Sequence, residues 1–158
     1  MVVRSKFLRA WLPVLLWMAL IFGASTDLLS GSRTSRFIGP FLRWFDPEIS
    51  ETSIRQFQLM VRKGAHVAEY AILSVLVCRA LRLNRGVPAG NWCRRSAAIA
   101  FLIAAGYAVT DEWHQSFVPS RDGSPHDAII DMCGAALGLA LLWRWHFLQQ
   151  PRGLRPPA

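Results

Sequence analysis

The chain has few charged residues, and its acidic residues are fewer than its basic ones. Of its 158 residues 18% are charged, and ten Asp and Glu stand against eighteen Lys and Arg. A typical soluble domain has about 25% charged residues, so the composition argues against an ordinary water-soluble protein. Three cysteines, an odd number without zinc-type spacing, argue against a disulfide framework and a zinc site. We expect Cys78, Cys93 and Cys133 to be small packing residues.

The sequence is instead rich in long apolar stretches. Hydrophobic residues make up 53% of the chain, and the stretch from Ala97 to Thr110 contains no charged residue. With their polar ends these stretches are about 20 residues long, which matches the thickness of a membrane hydrocarbon core. The predicted fold class is therefore an all-α membrane protein with four transmembrane helices. Their predicted bounds are residues 8–29, 63–83, 96–117 and 126–147, with Ser53 as an alternative start of the second.

The segments outside these helices are too polar to span a membrane. Residues 36–45 combine four aromatic side chains with Arg36 and Arg43, which is typical of a segment lying in the membrane interface. A lid over a binding site is the alternative. Residues 1–150 are predicted to form one transmembrane domain, and the proline-rich residues 151–158 a disordered tail. The first helix also resembles a signal peptide, but the bulky Trp17 and Phe22 favour a retained helix.

The formal charge of +8 is distributed unevenly along the chain. The N-terminal tail, the connection after the second apolar stretch and the C-terminus hold eleven basic residues and no acidic residue. Because Lys and Arg are retained on the cytoplasmic side, this pattern predicts that both termini are cytoplasmic. Basic residues without a soluble module are the usual product of such topology signals, so we expect no nucleic-acid partner. A basic rim would instead attract anionic lipid headgroups.

Ionisable residues lie at the ends of three of the predicted helices. If the helices alternate in direction, these ends meet near the extracytoplasmic face. Charges inside membrane helices are energetically costly, so their convergence predicts a functional site. The candidate residues are Lys63, His66, Glu69, Tyr70, Asp111, Glu112, Gln115, Arg121, Asp127 and Asp131.

We assign predicted roles by the chemistry of each side chain. The candidate catalytic residues are His66, Glu69, Asp111 and Glu112. The remaining six, among them the cations Lys63 and Arg121, are predicted to bind substrate. These residues do not identify a cofactor, but Mg²⁺ or Mn²⁺ would suit carboxylates with one His. Each residue alone has a structural explanation, such as snorkelling for Lys63 or favourable charge in a first helical turn for Asp127.

Two segments of the chain carry a family resemblance. Residues 63–76, KGAHVAEYAILSVL, follow the pattern K-x-x-H-x-x-E-Y. Residues 111–138 follow D-E-x-x-Q-x-F-x-P-x-R and then D-x-x-x-N-x-x-G-x-x-x-G, except that Asp131 stands in place of the Asn. These motifs, in this order, resemble the VanZ-like family of bacterial membrane proteins. The two glycines of the last motif, Gly134 and Gly138, form a small-residue surface suited to close helix packing.

The resemblance implies a bacterial cell-envelope setting, with the chain in the inner membrane. The family is named for a protein linked to teicoplanin resistance, and the resemblance supplies no reaction. It makes membrane lipids the expected partners, with polyprenyl-phosphate-linked lipids among the candidates. Whether the protein forms an oligomer is an open question at this point.

Three hypotheses from different classes follow. The first is an enzyme, a hydrolase or transferase that acts on a phosphate-bearing lipid headgroup at the outer leaflet. The second is a protein that binds or translocates a lipid or antibiotic without bond cleavage. The third is a structural scaffold, in which the polar residues only hold the helices in register.

Overall fold

The part of the chain that the structure describes folds into five helices. The computed structural model describes residues 2–26, 31–88, 91–118 and 123–149, and for residues 2–5 and 31–36 it describes the backbone alone. The helices are α1 (Val2–Ser25), α2 (Gly31–Phe45), α3 (Glu51–Asn84), α4 (Arg94–Gln115) and α5 (Pro125–Gln149). No strand occurs in these described ranges. The predicted all-α class is confirmed.

Three helices are long and apolar enough to cross a membrane: Lys6–Ser25 within α1, α3 and α5. Their outer faces carry large exposed apolar side chains, such as Leu16 on α1 and Leu141 on α5. The helix α4 does not reach the same hydrophobicity, because both of its ends are charged: Arg94 and Arg95 open it and Asp111 and Glu112 lie near its end. The fourth transmembrane span therefore stays a prediction.

The bounds of the helices differ from the predicted ones at several places. The helix α3 begins at Glu51 rather than at Lys63, and the hydroxyl of Ser50 caps it by accepting a hydrogen bond from the Ser53 N–H at 3.1 Å. At about 1.5 Å per residue, a helix of 34 residues is about 51 Å long, well beyond a hydrocarbon core of about 30 Å. Residues 27–30, the predicted end of the first helix, and the predicted tail 151–158 lie outside the described residues.

The extra length of α3 packs against α2. Gly39 of α2 approaches Ile54 of α3, and Arg43 forms an ion pair with Glu51. The side chains of Phe37, Trp44 and Phe45 are then left largely exposed. An exposed aromatic face beside a basic residue suits a helix at a membrane surface, and the interfacial position of this segment stays a prediction.

The bundle core is built by close packing of α3 against α5. A Cβ atom on Gly134 would lie 2.8 Å from the Val67 Cα, and one on Gly138 would lie 2.8 Å from the Ala71 Cα. Only glycine allows the two backbones to approach this closely. The Ser74 hydroxyl joins the same two helices, since it lies 2.9 Å from the Ala135 carbonyl oxygen.

The helices α1 and α4 complete the bundle: both pack against α3, and they also contact each other. Three fully buried alanines at four-residue spacing, Ala100, Ala104 and Ala108, give α4 a smooth face toward its neighbours. The indole N–H of Trp17 donates to the Glu69 carbonyl oxygen at 2.9 Å. The Tyr107 hydroxyl donates to the Met18 carbonyl oxygen at 2.7 Å. The helix α1 is thus joined to α3 and to α4 by polar contacts from two adjacent residues.

Candidate functional site

Three ionisable side chains from three different helices meet inside the bundle. His66 of α3, Glu112 of α4 and Asp131 of α5 each offer one ligand-type atom, and these atoms lie within 4.8 Å of one another. Asp131 is fully buried, and Glu112 is only 6% exposed. The shortest of these contacts is 3.2 Å, between His66 Nδ1 and Asp131 Oδ1. We call these three residues the acidic cluster.

The glycine contact between α3 and α5 explains how this cluster forms. Asp131 lies three residues before Gly134, so the two share one face of α5. His66 immediately precedes Val67, the residue that Gly134 touches. Because the backbones are in contact here, the short Asp131 side chain reaches the imidazole across the helix interface.

The position of Glu112 is fixed by the loop before α5. Its Oε2 atom accepts a hydrogen bond from the Ser124 N–H at 2.8 Å. Gly123 makes the loop fold back tightly, since a Cβ atom there would lie 2.7 Å from the Ser116 backbone nitrogen. The loop and the last turns of α4 therefore hold one carboxylate oxygen, while Glu112 Oε1 is buried and has no aligned hydrogen-bond partner in the part of the chain that the structure describes.

A second polar group extends the cluster toward α1. The Gln115 side-chain amide donates to Asp111 Oδ2 at 3.1 Å and to the Ser25 hydroxyl at 3.3 Å, and all three residues are buried. The Tyr70 hydroxyl is buried on the same side, close enough to Asp111 to interact with its charge. Ser25 was not among the predicted site residues, because a contact across ninety positions of sequence leaves no local pattern.

Several buried atoms of this region lack an aligned partner among the described residues. They are Asp131 Oδ1 and Oδ2, Glu112 Oε1, Asp111 Oδ1, His66 Nδ1 and the Tyr70 hydroxyl. Asp131 Oδ1 and His66 Nδ1 lie 3.2 Å apart, but their orientation does not make a hydrogen bond. Leaving a buried polar group unpaired costs about 1–3 kcal/mol, and more for a charged one. So many at one place indicate a site that is completed by something else.

The cations near this site are arranged differently from the prediction. Asp127 pairs with Arg62, whose Nη2 lies 3.3 Å from Asp127 Oδ2. Arg62 was not predicted, although its spacing of four residues from His66 places both on one face of α3. Lys63 is exposed one turn before His66, Glu69 is half-buried on the same helix, and Arg121 lies outside the described residues.

A largely apolar cavity of about 520 Å³ adjoins the acidic cluster. Its walls come from the end of α4, the start of α5 and the loop between them. Glu112 lines the cavity as well as the cluster. Trp113 and Ile129, also in its wall, are largely exposed on the outer surface of the bundle. The cavity therefore connects the lipid-facing surface with the polar interior.

The opposite end of the bundle has a polar cluster of its own. The guanidinium of Arg82 donates to His146 Nε2 at 2.6 Å and to the Pro88 carbonyl oxygen at 3.1 Å. Arg85 donates to the Ser96 hydroxyl, which in turn donates to Cys93 Sγ at 3.2 Å. Hydrogen bonds from Ser96 lower the pKa of the Cys93 thiol, which precedes the first residue of α4. We call Arg82, Arg85, Cys93, Ser96 and His146 the basic-end cluster.

Comparison with known proteins identifies the family of the chain. No curated protein and no solved structure matches it. The family model described as VanZ/LLP1 matches residues 10–148. The match runs from the first turns of α1 to the last turn of α5 and includes every residue of the acidic cluster. Since it covers most of the chain, the protein is a member of the VanZ/LLP1 family.

Proposed function

We propose that this VanZ/LLP1 membrane protein binds a phosphate-bearing lipid at the outer leaflet of the bacterial inner membrane and acts on its headgroup. One observation carries the proposal: Glu112 belongs both to the apolar cavity and to the acidic cluster. A lipid has the same two-part chemistry, because its chain is apolar and its headgroup polar. A chain in the cavity would bring the attached headgroup to the cluster.

The proposal includes a four-span topology with both termini in the cytoplasm. In addition to the three apolar helices, we count α4, whose 22 residues are about 33 Å long at 1.5 Å per residue. Its buried alanine face packs among the other helices, and Asp111 and Glu112 near its end are buried as well. If successive transmembrane helices cross the membrane in opposite directions, the end of α4 and the start of α5 lie on the outer side. The acidic cluster would then meet the outer leaflet.

Groups at the mouth of the site suit a headgroup phosphate. Arg62 is partly exposed, and Lys63 is fully exposed beside it. Both are one turn from His66, and a guanidinium or ammonium is the usual partner of a phosphate oxygen. Trp113 and Phe117 contact each other at the same end, as side chains of an interfacial aromatic belt do.

The proximity of His66 and Asp131 favours chemistry on the headgroup. A carboxylate beside an imidazole stabilises the protonated ring, so the ring can take a proton from water or from a hydroxyl group. The proposed reaction is hydrolysis or transfer at the phosphate linkage. The same residues would hold a headgroup without bond cleavage in a binding protein or translocator, and the experiment must separate the two.

The test compares lipids in cells that express equal amounts of four proteins: wild type, Glu112→Gln, Ala128→Phe and Ala136→Phe. Ala128 is buried in the cavity wall, so phenylalanine there fills the space for the lipid chain. Ala136 is exposed on the same helix two turns later and is the matched control. Envelope lipids are quantified by mass spectrometry, together with the lipids that co-purify with each protein.

We expect wild type and Ala136→Phe to change one phosphate-bearing lipid species, and Glu112→Gln and Ala128→Phe to leave it unchanged. Co-purified lipid without any lipid conversion would favour binding or translocation over catalysis. If all four proteins give the same total and co-purified lipids, the lipid function is wrong. The scaffold hypothesis would then be the best remaining account of the polar residues.

A further inference from the structure

We infer that His66, Glu112 and Asp131 bind a divalent metal cation between α3, α4 and α5. This inference rests on the proposed function in one respect, because the cation would be the cofactor of the same lipid site. With the cation bound, His66 would be a metal ligand and would no longer accept a proton at Nδ1. The binding of the metal, however, can be measured without any lipid.

The distances in the acidic cluster fit a shared cation. Bonds of about 2.0–2.1 Å to a metal, at tetrahedral angles, place two ligand atoms about 3.3 Å apart, and octahedral geometry places adjacent ones about 3.0 Å apart. His66 Nδ1 and Asp131 Oδ1 are 3.2 Å apart without being aligned for a hydrogen bond. A ligand atom of Glu112 lies within 4.8 Å of both. A small side-chain adjustment would complete the three-ligand site.

A second, independent observation points to a ligand. Asp131 is fully buried, yet neither of its oxygens has an aligned hydrogen-bond partner within the described ranges. Glu112 is more than nine-tenths buried, and its Oε1 is in the same situation. An ionised carboxylate without aligned hydrogen bonds is costly to bury, and the His66 ring offsets the charge of Asp131 only when the ring is protonated. A divalent cation would satisfy both carboxylates at once.

The charges around the cluster lead to the same conclusion. Asp111 and Asp127 lie close enough to Asp131 for their negative charges to act on it. Asp127 forms an ion pair with Arg62, which is partly exposed. Without further positive charge this site would repel a phosphate group. A bound divalent cation removes the repulsion and offers the phosphate oxygens open coordination positions.

The ligand set narrows the choice of metal. It contains one imidazole nitrogen, two carboxylates and no cysteine, which argues against metals that prefer thiolates. The imidazole makes Mn²⁺ or Zn²⁺ a better match than Mg²⁺, which prefers oxygen ligands throughout. The hydrogen bond from Ser124 to Glu112 Oε2 would orient the carboxylate, as outer partners of metal ligands generally do.

The experiment measures Mn²⁺ binding to the full chain, purified in a detergent without phosphate groups and stripped of metal. Free Mn²⁺ is quantified by electron paramagnetic resonance during titration. We expect one Mn²⁺ per wild-type chain, and binding weakened by about 100-fold or more in Asp131→Asn and in His66→Gln, since even outer-shell changes weaken metal sites by about 10–100-fold. Zn²⁺ should compete for the same site.

Asp127→Asn is the matched control, because it removes a neighbouring carboxylate and its charge but none of the three ligands. We expect its affinity to stay within about threefold of wild type, since the charge of a pair partly exposed to solvent is screened. Because Asp131→Asn could misfold, the thermal unfolding of wild type is also measured with and without Mn²⁺. A cation that joins three helices should raise its unfolding temperature.

The inference is wrong if wild type shows no saturable binding of Mn²⁺ or Zn²⁺ and no metal-dependent stabilisation. It is also wrong if folded Asp131→Asn and His66→Gln bind the metal as tightly as wild type does. Metal binding together with unchanged envelope lipids would support the metal site and contradict the proposed lipid function. Lipid conversion by a protein that binds no metal would support the proposed lipid function and contradict the metal site.

Discussion

The two ends of the helix bundle solve the problem of buried polar groups in different ways. At the basic end, Arg82 donates to two acceptors, the His146 ring and the Pro88 carbonyl. At the other end, buried acceptors outnumber donors, and both oxygens of Asp131 lack an aligned partner in the part of the chain that is described. At the basic end His146 Nδ1 also lacks an aligned partner among the described residues, but the buried carboxylate oxygens without one lie at the other end, where an external group would complete the site.

This difference separates a structural role from a functional one. Basic residues at the first end also follow from the topology of a membrane protein, so they need no further explanation. Three buried carboxylates at the other end, Asp111, Glu112 and Asp131, have no such explanation. In a low-dielectric interior their mutual repulsion would destabilise the fold unless protons or a cation compensate it.

The largest effect on stability is expected from one substitution that disturbs the helix packing between the two ends. Gly138 lies between them, and a Cβ atom there would overlap the Ala71 backbone, which cannot move aside as a side chain could. We expect Gly138→Ala to push α3 and α5 apart and to destabilise the protein by about 1–3 kcal/mol. Thermal unfolding of the purified protein in detergent measures the change.

Gly106→Ala is the control for this substitution. Gly106 is also in the interior of a helix, but a Cβ atom there would meet open space. Alanine favours a helix over glycine by about 1 kcal/mol, so this variant should be as stable as wild type or more stable. Equal destabilisation by the two substitutions would contradict the packing of α3 on α5.

Single substitutions in each cluster are expected to have effects of opposite sign at the two ends. Arg82→Met leaves the His146 and Pro88 acceptors without their donor, so we expect a loss of about 1–3 kcal/mol in the free energy of unfolding. Asp131→Asn removes a buried charge, so in the presence of a metal chelator its stability should equal or exceed that of wild type. Unfolding temperatures measured side by side test this.

Arg79→Met controls for the loss of a basic residue on the same helix, because Arg79 is exposed. It should change stability by less than about 0.5 kcal/mol. If Asp131→Asn destabilises the protein as much as Arg82→Met does, the two ends are equivalent. The polar residues at both ends would then hold the helices in register, as the scaffold hypothesis states.

The fold could be predicted from the sequence where the signal was apolar periodicity or length. The all-α class and the helices around His66, Tyr107 and Asp131 followed from apolar stretches with polar ends. The start of α3 at Glu51 was predicted less firmly, with Ser53 as the alternative to Lys63, because the segment from Glu51 to Arg62 is polar and its helix is supported by packing on α2 and by the Ser50 cap. Such support comes from tertiary contacts, which give only a weak signal in the local sequence pattern.

The site could be predicted only as a set of residue types. Ionisable residues in apolar helices are conspicuous, so His66, Glu112 and Asp131 were candidates before the structure brought them together. The ion pair was not visible: Arg62, which pairs with Asp127, was not a candidate, whereas its neighbour Lys63 was predicted to bind substrate. Adjacent side chains on a helix point about 100° apart. The position of Asp127 therefore determines which of Arg62 and Lys63 can reach it.

The smallest effect concerns the reactivity of Cys93 at the basic end. Hydrogen bonds from Ser96 lower the pKa of this thiol, so more of it is thiolate at neutral pH than in an ordinary cysteine. In a chain without Cys78 and Cys133, we expect Ser96→Ala to slow maleimide labelling several-fold at pH 7. The difference should vanish at pH 10, where both thiols are ionised.

The same label also tests which end of the bundle is cytoplasmic, and with it the comparison between the two ends. An impermeant maleimide should react with Cys93 in inverted membrane vesicles and not in intact spheroplasts, because the eleven basic residues predict that this end is cytoplasmic. Ser116→Cys, exposed at the end of α4 near the acidic cluster, should show the opposite pattern. If Cys93 reacts from outside, the acidic cluster faces the cytoplasm, and its lipid would have to come from the inner leaflet.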